Sequence, residues 1–410
     1  MKDTAILIFG GRIYTMSDRL PVADALIVRG ERIAWIGSAA DLSAVPADSF
    51  EMIDLQGGIV LPGFVDSHVH LFHWSRSLSE VKLGSASSYD EVLRHIRKYV
   101  RKNPTARWLG GGGWKIEQWR RPHLLHKDAL DHICSDKPLV FFSKDDHTAW
   151  VNSRTLQLAG IGPGTPDPPG GVIERDEFGQ PTGILREQAA WQLYKIRPQS
   201  NPAEARKTLK QGIAEMLRRG CVGVSNFDKS QGWETLEALD IAGELPIRVT
   251  QYFSAELLAH LIQVGLKTGF GSAHLKVGGV KLFADGALGS QTALMLKPFV
   301  GSKSSGVEVT SADELKRLIK KCTRHGLSCA VHAIGDRANR NVLDAIAAAQ
   351  HLSRRFRHRI EHCQIVSPAD VKRFAELGVI ASMQPTHATA DIDLMRLYLG
   401  KRAQHSYRFR

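Results

Sequence analysis

Two histidines separated by one residue, His68 and His70, follow an apolar run with a Pro-Gly break, 58-GIVLPGFVDSHVHL-71. Alternate residues of a β-strand face the same side, so both imidazoles would point the same way and could share one metal ion. Imidazole nitrogen suits zinc and other borderline divalent cations. The alternative is a pair of structural histidines, since this spacing also arises by chance in a chain with 17 histidines.

Lys281 lies within a second apolar run, 277-VGGVKLFADGALGSQTA-293. A lysine inside an apolar strand is costly unless its charge is altered or paired. A buried, deprotonated lysine is nucleophilic, and addition of carbon dioxide would give a carbamate with two oxygens that can bridge two cations. A lysine at the edge of the strand, or a buried ion pair, is the alternative.

Two further histidines stand near the ends of predicted strands, His332 in 330-AVHAIGDRAN-339 and His362 in 359-RIEHCQ-364. Each alone is more typical of a core histidine. Together with the histidine pair and Lys281, in this order, they predict a metal centre, in which we expect Lys281, His332 and His362 also to be catalytic.

Four other residues are candidates for contact with a substrate. Trp114 follows a run of glycines and would form a wall, although packing is an equal alternative. His147, Asp285 and His387 are predicted to lie on the same face as the metal centre.

The elements that position these residues are repeated helix–glycine–strand units, which are typical of a parallel α/β sheet. Residues 1–58 are predicted to form short strands with glycine turns, and residues 59–410 a (β/α)8 TIM-type barrel with an irregular insertion at about 72–200. Active sites of such barrels lie at the carboxyl ends of the strands. The predicted barrel strands are Ile59–Leu71, Cys221–Phe227, Ile247–Phe253, Val277–Asp285, Ser328–Ile334, His358–Cys363 and Val379–Gln384.

The motifs LPGFVDSHVH, VKLFADGALGSQTA, VHAIGDRAN, IEHCQ and SMQPTHAT together resemble the amidohydrolase superfamily, specifically its YtcJ-like, amidohydrolase-3 branch, over essentially the whole chain. The resemblance implies that His68 and His70 hold one metal ion, that a carboxylated Lys281 bridges, and that His332 and His362 hold a second ion. It implies one or two divalent ions, with zinc expected, and a small β-sandwich that includes residues 1–58. The implied function is hydrolysis of a non-peptide, amide-type C–N bond in a small molecule by metal-activated hydroxide.

Members of this family normally continue with an eighth barrel strand whose Asp binds metal and moves a proton. No such strand is predicted after Gln384. We therefore expect a barrel without strand 8, with exposed edges that favour a homo-oligomer, and we assign no proton shuttle. The alternative function is a truncated, inactive metal-binding remnant.

Composition and charge exclude several other classes of protein. The chain has 54 basic and 42 acidic residues, and its net charge of +12 is by itself compatible with binding to nucleic acid. The basic residues are spread along helices without a recognised motif, so we predict no nucleic-acid partner. No run of 18 apolar residues and no signal peptide are present, so we expect no membrane association. Five scattered cysteines without a CxxC pair indicate a reducing cytoplasm.

Overall fold

The computed structural model describes residues 5–44, 50–116, 119, 125–144, 146–228, 230–352 and 355–405. The chain divides into two compact units, Met1–Val65 with Gly220–Gly223, and Asp66–Arg219 with Val224–Arg410. Among the described residues, no helix is both long and apolar enough to cross a membrane.

The first unit contains a five-stranded sheet. Its strands are β1 (Ala5–Tyr14), β2 (Val22–Arg29), β3 (Arg32–Gly37), β4 (Phe50–Asp54) and β5 (Ile59–Val60). The order is β3-β2-β1-β4, with β5 also paired to β1. Residues at alternate positions of the two central strands share one core, namely Ala5 and Leu7 of β1 and Ala25 and Ile27 of β2. That this sheet is part of a β-sandwich stays a prediction.

The rest of the chain adds two sheets and the helices that connect their strands, and of these strands only residues 64–65 and 221–223 belong to the first unit. Its strands are β6 (Phe64–Val69), β7 (Val81–Lys82), β8 (Leu109–Trp114), β9 (Leu139–Ser143), β10 (Thr148–Val151), β11 (Gly171–Arg175), β12 (Pro181–Glu187), β13 (Cys221–Asn226), β14 (Arg248–Ser254), β15 (Leu275–Phe283), β16 (Ser328–Ala333), β17 (Arg359–His362) and β18 (Ile380–Ser382). Its helices are α1 (Leu71–Ser77), α2 (Tyr89–Lys102), α3 (Lys127–Asp131), α4 (Ser153–Leu158), α5 (Gln188–Trp191), α6 (Leu193–Ile196), α7 (Pro202–Arg218), α8 (Ser230–Ile241), α9 (Leu258–Gln263), α10 (Ala312–Arg324), α11 (Asp336–Ala347), α12 (Val371–Glu376), α13 (Pro385–Ala390) and α14 (Ile392–Leu399).

The described residues place seven strands in a barrel sheet that follows the chain order, β6-β13-β14-β15-β16-β17-β18. The pairs from β14 to β18 are parallel. The two ends of this order approach each other, because Ser382 Oγ on β18 lies 3.4 Å from Ser67 Oγ on β6. The predicted parallel α/β architecture is therefore confirmed as a nearly closed barrel sheet.

The predicted first barrel strand, Ile59–Leu71, is wrong as a single element. Ile59 and Val60 pair with β1 in the first unit, whereas β6 begins only at Phe64. Pro62 lacks the N–H that a central strand needs. Gly63 lies so close to a neighbour that an added Cβ would be 2.4 Å from Val222 Cγ2. These two residues divide the apolar run between two sheets.

Side chains cap two of the longer helices. Asn201 caps α7, and the side chain of Glu204 bonds back to the Asn201 backbone, which completes a capping box. Ser311 caps α10 by accepting from Glu314 N at 3.3 Å. The reciprocal half of that second box is replaced, since the Glu314 carboxylate instead accepts from the Arg317 guanidinium.

The insertion between β6 and α7 is more regular than the sequence indicated. Its six strands form a mixed sheet in the order β11-β12-β10-β9-β8-β7. The glycine run of β8, which resembles a loop in the sequence, is a strand between β7 and β9. A Cβ on Gly111 would lie 2.3 Å from Val81 O, and one on Gly112 would lie 2.7 Å from Phe142 O, so close strand packing requires these glycines.

Candidate active site

The structure brings the five predicted metal ligands together at the carboxyl end of the barrel sheet. The ring of His362 lies 4.8 Å from that of His68 and 4.6 Å from that of His332, between centroids. The His68 and His70 rings are 6.0 Å apart. Lys281 reaches the same place, because its Nζ lies 4.9 Å from the Phe227 ring, on which the imidazole of His68 stacks.

Each of the four histidines uses one ring nitrogen in a hydrogen bond to an oxygen that can only accept. Nδ1 of His68 bonds Glu361 Oε2 at 2.6 Å, and Nδ1 of His362 bonds Gln384 Oε1 at 2.7 Å. His332 donates from Nε2 to the backbone oxygen of Gly286 at 2.9 Å, and His70 donates to the backbone of Phe227. The opposite nitrogen of each ring is then a lone-pair donor, as metal ligation requires.

Burial also keeps these rings uncharged. Desolvation, reinforced by the neighbouring His68 and Lys281, lowers the pKa of His70 to about 3. Desolvation and Lys281 likewise lower the pKa of His332 to about 3, and burial lowers the pKa values of His68 and His362. Neutral imidazoles at neutral pH are the form that binds a cation.

Lys281 is buried, and its Nζ has no hydrogen-bond partner among the described residues. Burial lowers the pKa of Lys281 to about 7; the nearby Glu361 opposes this shift and Arg359 reinforces it. A substantial fraction of a lysine with this pKa is a neutral amine at neutral pH, and an unsatisfied buried amine is costly. The alternative that Lys281 lies at an exposed edge of the strand is therefore wrong. A buried ion pair is not seen either, because no salt bridge of Lys281 occurs within the described part of the chain.

These observations fit one or two metal ions only if Lys281 contributes. No group of three or more His, Cys, Asp or Glu side chains that could hold an ion occurs among the described residues. The pair on β6 and the pair from β16 and β17 therefore each need a third donor.

The sequence analysis missed two buried charged residues of β17, Arg359 and Glu361. Glu361 Oε1 accepts from Arg359 Nε at 2.6 Å, while its Oε2 accepts from His68. Burial opposes the charge on Glu361, but the hydrogen bonds from His68 and Arg359 outweigh it and lower its pKa to about 2. Arg359 also donates to Ser225 Oγ, Ser382 Oγ and Ser67 O, so it joins both ends of the barrel sheet. The sequence did offer a signal for this pair, because two oppositely charged residues stand at alternate positions of an otherwise apolar strand.

The strand that carries His362 ends in a strained turn. His362 has φ 73° and Cys363 has φ 44°, which is the left-handed region that residues other than glycine seldom adopt. Strained conformations of this kind collect at functional sites. In a regular strand, His362 would point to the side opposite that of Glu361. The turn changes this direction, so the His362 ring points towards His68 and His332.

Two carboxylates, half-buried Asp228 and buried Asp285, anchor the loops that follow the ligands. Asp228 accepts from the backbone of Phe72 and His73, at the start of α1 just after His70. Asp285 accepts from three backbone N–H groups, of Leu294, Ile334 and Gly335, at 2.8 to 3.0 Å. Burial raises the pKa of Asp285 to about 7 against the effect of these bonds.

The other residues predicted to contact substrate lie in different surroundings. Trp114 is buried in the core of the insertion and its Nε1 donates to Phe141 O at 2.9 Å, which supports the packing alternative. His147 Nδ1 bonds Glu187 Oε2 at 2.7 Å. His387 lies beside the cluster, with its ring 5.8 Å from that of His362. Their contact with substrate stays a prediction.

A cavity of about 430 Å³ opens beside His68 and His70 and extends along α1 to the insertion sheet. Trp108 and Tyr194 contribute to its wall, whereas Trp114 does not line it. A parallel α/β barrel with histidines and a buried lysine at the carboxyl ends of its strands, next to such a cavity, defines the class of barrel hydrolases.

The pattern that defines the Amidohydrolase family matches residues 51–410, and this chain belongs to that family. It is 33% identical to the putative amidohydrolase YtcJ of Bacillus subtilis, over 96% of this chain and 75% of the relative. It is 28% identical to the N-substituted formamide deformylase of Arthrobacter pascens, over 99% of this chain and 77% of the relative. A metal-dependent hydrolase from Pyrococcus horikoshii has a similar structure, with a TM-score of 0.82 and 28% identity over 99% of this chain and 80% of the other. The resemblance inferred from the motifs is confirmed.

Proposed function

We propose that this protein is a metal-dependent hydrolase of amide-type, non-peptide C–N bonds in small molecules. The observation that carries the proposal is the cluster of four neutral histidines around Lys281, whose buried Nζ lacks a partner within the described structure. The similarity to a putative amidohydrolase, to a deformylase of N-substituted formamides and to a metal-dependent hydrolase supports it. We also propose that the protein is located in the cytoplasm and forms a homo-oligomer.

The four histidines and Lys281 would hold the metal. His68 and His70 form one pair and His332 and His362 the other, and imidazole ligands favour zinc. When bound, a divalent cation lowers the pKa of a water ligand towards neutrality and polarises a substrate carbonyl. His332, His362 and Lys281 would contact the reacting atoms.

Lys281 would join the two pairs as a carbamate. Its neutral Nζ attacks the carbon of carbon dioxide, an N–C bond forms, and one proton leaves to solvent. The resulting group carries one negative charge over two oxygens, which removes the unsatisfied amine. Burial of Lys281 supports this step, because it lowers the pKa of the amine to about 7.

Neighbouring residues would keep the ligands in place. Glu361 and Gln384 accept hydrogen bonds from Nδ1 of His68 and His362, which would leave the opposite nitrogen of each ring available to a metal ion. Asp285 holds the loop after β16 rather than substrate, since its carboxylate is occupied by backbone N–H groups. His147 and His387 would contact the substrate.

The test is release of formate and amine from a panel of N-substituted formamides by zinc-loaded protein. We expect turnover by the wild type, and a loss of at least about 100-fold in His362→Ala, since removal of one ligand disrupts the ion that supplies most of the rate. His325→Ala changes an exposed histidine and should retain full activity. Turnover that persists in His362→Ala, or after complete removal of metal, would contradict the proposal.

A further inference from the structure

Two fully buried amide side chains form a hydrogen-bonded pair on the strands β13 and β14. Asn226 is the last residue of β13, and its Nδ2 donates to Oε1 of Gln251 at 2.7 Å. Gln251 Nε2 donates in turn to the backbone oxygens of Asp228 and Tyr252, at 2.9 and 2.8 Å. Because two carbonyl groups fix the orientation of the Gln251 amide, its oxygen faces Asn226 and fixes the Asn226 amide as well. Asn226 Oδ1 is thereby directed away from Gln251.

The Asn226 oxygen accepts two backbone hydrogen bonds, and each of them holds a group that adjoins His70. The first comes from the N–H of Leu71, directly after His70, at 2.9 Å. The second comes from the N–H of Asp228 at 3.4 Å. This N–H belongs to the same peptide unit as the carbonyl of Phe227, which accepts the hydrogen bond from the His70 ring. A peptide unit is planar, so its N–H and C=O groups turn together, and the acceptor of the His70 ring is oriented by Asn226.

Asn226 also relieves His70 of a task that its position in the chain would give it. His70 is the N-cap residue of α1, yet its side chain makes no capping hydrogen bond. The first N–H groups of a helix need acceptors, which the N-cap side chain normally supplies. Here Asn226 Oδ1 accepts from Leu71, and the Asp228 carboxylate accepts from Phe72. The His70 ring is therefore free to bond elsewhere.

We propose that Asn226 is a positioning residue that sets the direction and the tautomer of the His70 ring. It does so through the Leu71 N–H and through the peptide unit that joins Phe227 to Asp228. The ring nitrogen that faces Phe227 carries the hydrogen, and the other nitrogen presents its lone pair. Gln251 acts one step further away, by orienting Asn226. This inference rests on the proposed function, because it gives His70 the part of a metal ligand.

The first test follows the His70 tautomer in the metal-free protein and so needs neither metal nor turnover. NMR of isotopically labelled histidine rings shows which nitrogen carries the hydrogen, and His70→Ala identifies the signal. We expect a single tautomer in wild type and a mixture of both in Asn226→Leu. Asn226→Asp keeps the acceptor oxygen and should keep the single tautomer, even though loss of the Nδ2 donor to Gln251 lowers its stability. A merely structural role of Asn226 would not separate these two variants.

The second test measures zinc affinity by competition with a chromophoric chelator. Asn226→Leu should weaken the binding of one ion by about 10- to 100-fold, as loss of the groups that orient a metal-binding histidine does. Added to His70→Ala, it should cause no further loss, since a positioning residue acts only through the residue that it positions. Asn152→Leu is the matched control. Asn152 is equally buried, and its Oδ1 accepts from the backbone of Leu139 and Thr155 in the insertion, so this variant should leave zinc affinity and the His70 tautomer unchanged.

Several results would overturn the inference. They are a wild-type His70 that populates both tautomers, a folded Asn226→Leu protein with one tautomer and wild-type zinc affinity, and an equal loss of zinc affinity in Asn152→Leu. If Asn226→Leu does not fold, Gln251→Met decides, because it frees the Asn226 amide and should shift the tautomer and the zinc affinity in the same direction; no shift in either would refute the inference. Wild-type protein that binds no zinc, but whose His70 tautomer depends on Asn226, would contradict the proposed function and leave the positioning role standing.

Discussion

Substitution of Glu361 tests how the site is held together, because this one carboxylate accepts hydrogen bonds from two other side chains. It accepts from Arg359 Nε and from His68 Nδ1, both at 2.6 Å, and its side chain is fully buried. Glu361→Gln keeps the volume but removes the negative charge. It also replaces one acceptor oxygen by an NH2 group, which cannot accept a proton from either partner.

The expected cost has two parts. Removal of one partner from a buried ion pair costs about 3–5 kcal/mol. Arg359 keeps its bonds to Ser225, Ser382 and the Ser67 backbone, so we expect the lower end, about 3 kcal/mol in the free energy of unfolding. Loss of the acceptor that orients a metal-binding histidine weakens metal binding by about 10- to 100-fold.

Urea unfolding of the metal-free protein measures the first part, and zinc competition against a chromophoric chelator measures the second. Glu314→Gln is the matched control, since Glu314 pairs with Arg317 on an exposed face of α10, where solvent screens the pair, and this variant should unfold close to the wild-type urea concentration. The double variant Arg359→Met with Glu361→Gln should lose less stability than the two single variants added together. A Glu361→Gln protein with wild-type stability and wild-type zinc affinity would refute this account of the site.

Two other predictions concern Lys281 and His358. Intact mass in bicarbonate buffer should show carbon dioxide added to Lys281, and Lys281→Ala should lose both this mass and the second metal ion; an unmodified amine in metal-loaded wild type would argue against the carbamate. His358 is buried, accepts from Cys329 N at 3.0 Å, and its pKa is lowered by burial from 6.5 to about 4. Its neutral form therefore stabilises the fold fully above pH 6.5, and about 3 kcal/mol of that stability is lost as the pH falls to about 4. Urea unfolding of His358→Gln between pH 7 and 4 should show a pH slope shallower by about one proton than wild type, and an unchanged slope would contradict the assignment.

The clustering of the candidate ligands was predictable from sequence because each stands near the end of a recognisable apolar strand. The order of His68, Lys281, His332 and His362 along the chain then matches the order of strands in the sheet. Arg359 and Glu361 were missed, because apart from each other their partners lie on other strands, and only the folded barrel brings those partners to them.

The boundaries of elements were less predictable, for local steric reasons. The Pro-Gly break was visible in the run from Ile59 to Leu71, but the sequence did not show that Pro62 and Gly63 divide this run between two sheets. The glycines of β8 resembled a loop, although close packing against β7 and β9 explains them. The position of Trp114, in the core instead of the cavity wall, depends on how this sheet packs.

The most direct test of the central claim is the metal content of the purified protein, measured by inductively coupled plasma mass spectrometry after reconstitution with zinc and removal of free metal. The account predicts one or two bound divalent ions for each wild-type chain, lower occupancy in His68→Ala, and wild-type occupancy in His325→Ala. Wild-type protein that is folded but retains no metal after reconstitution would contradict it.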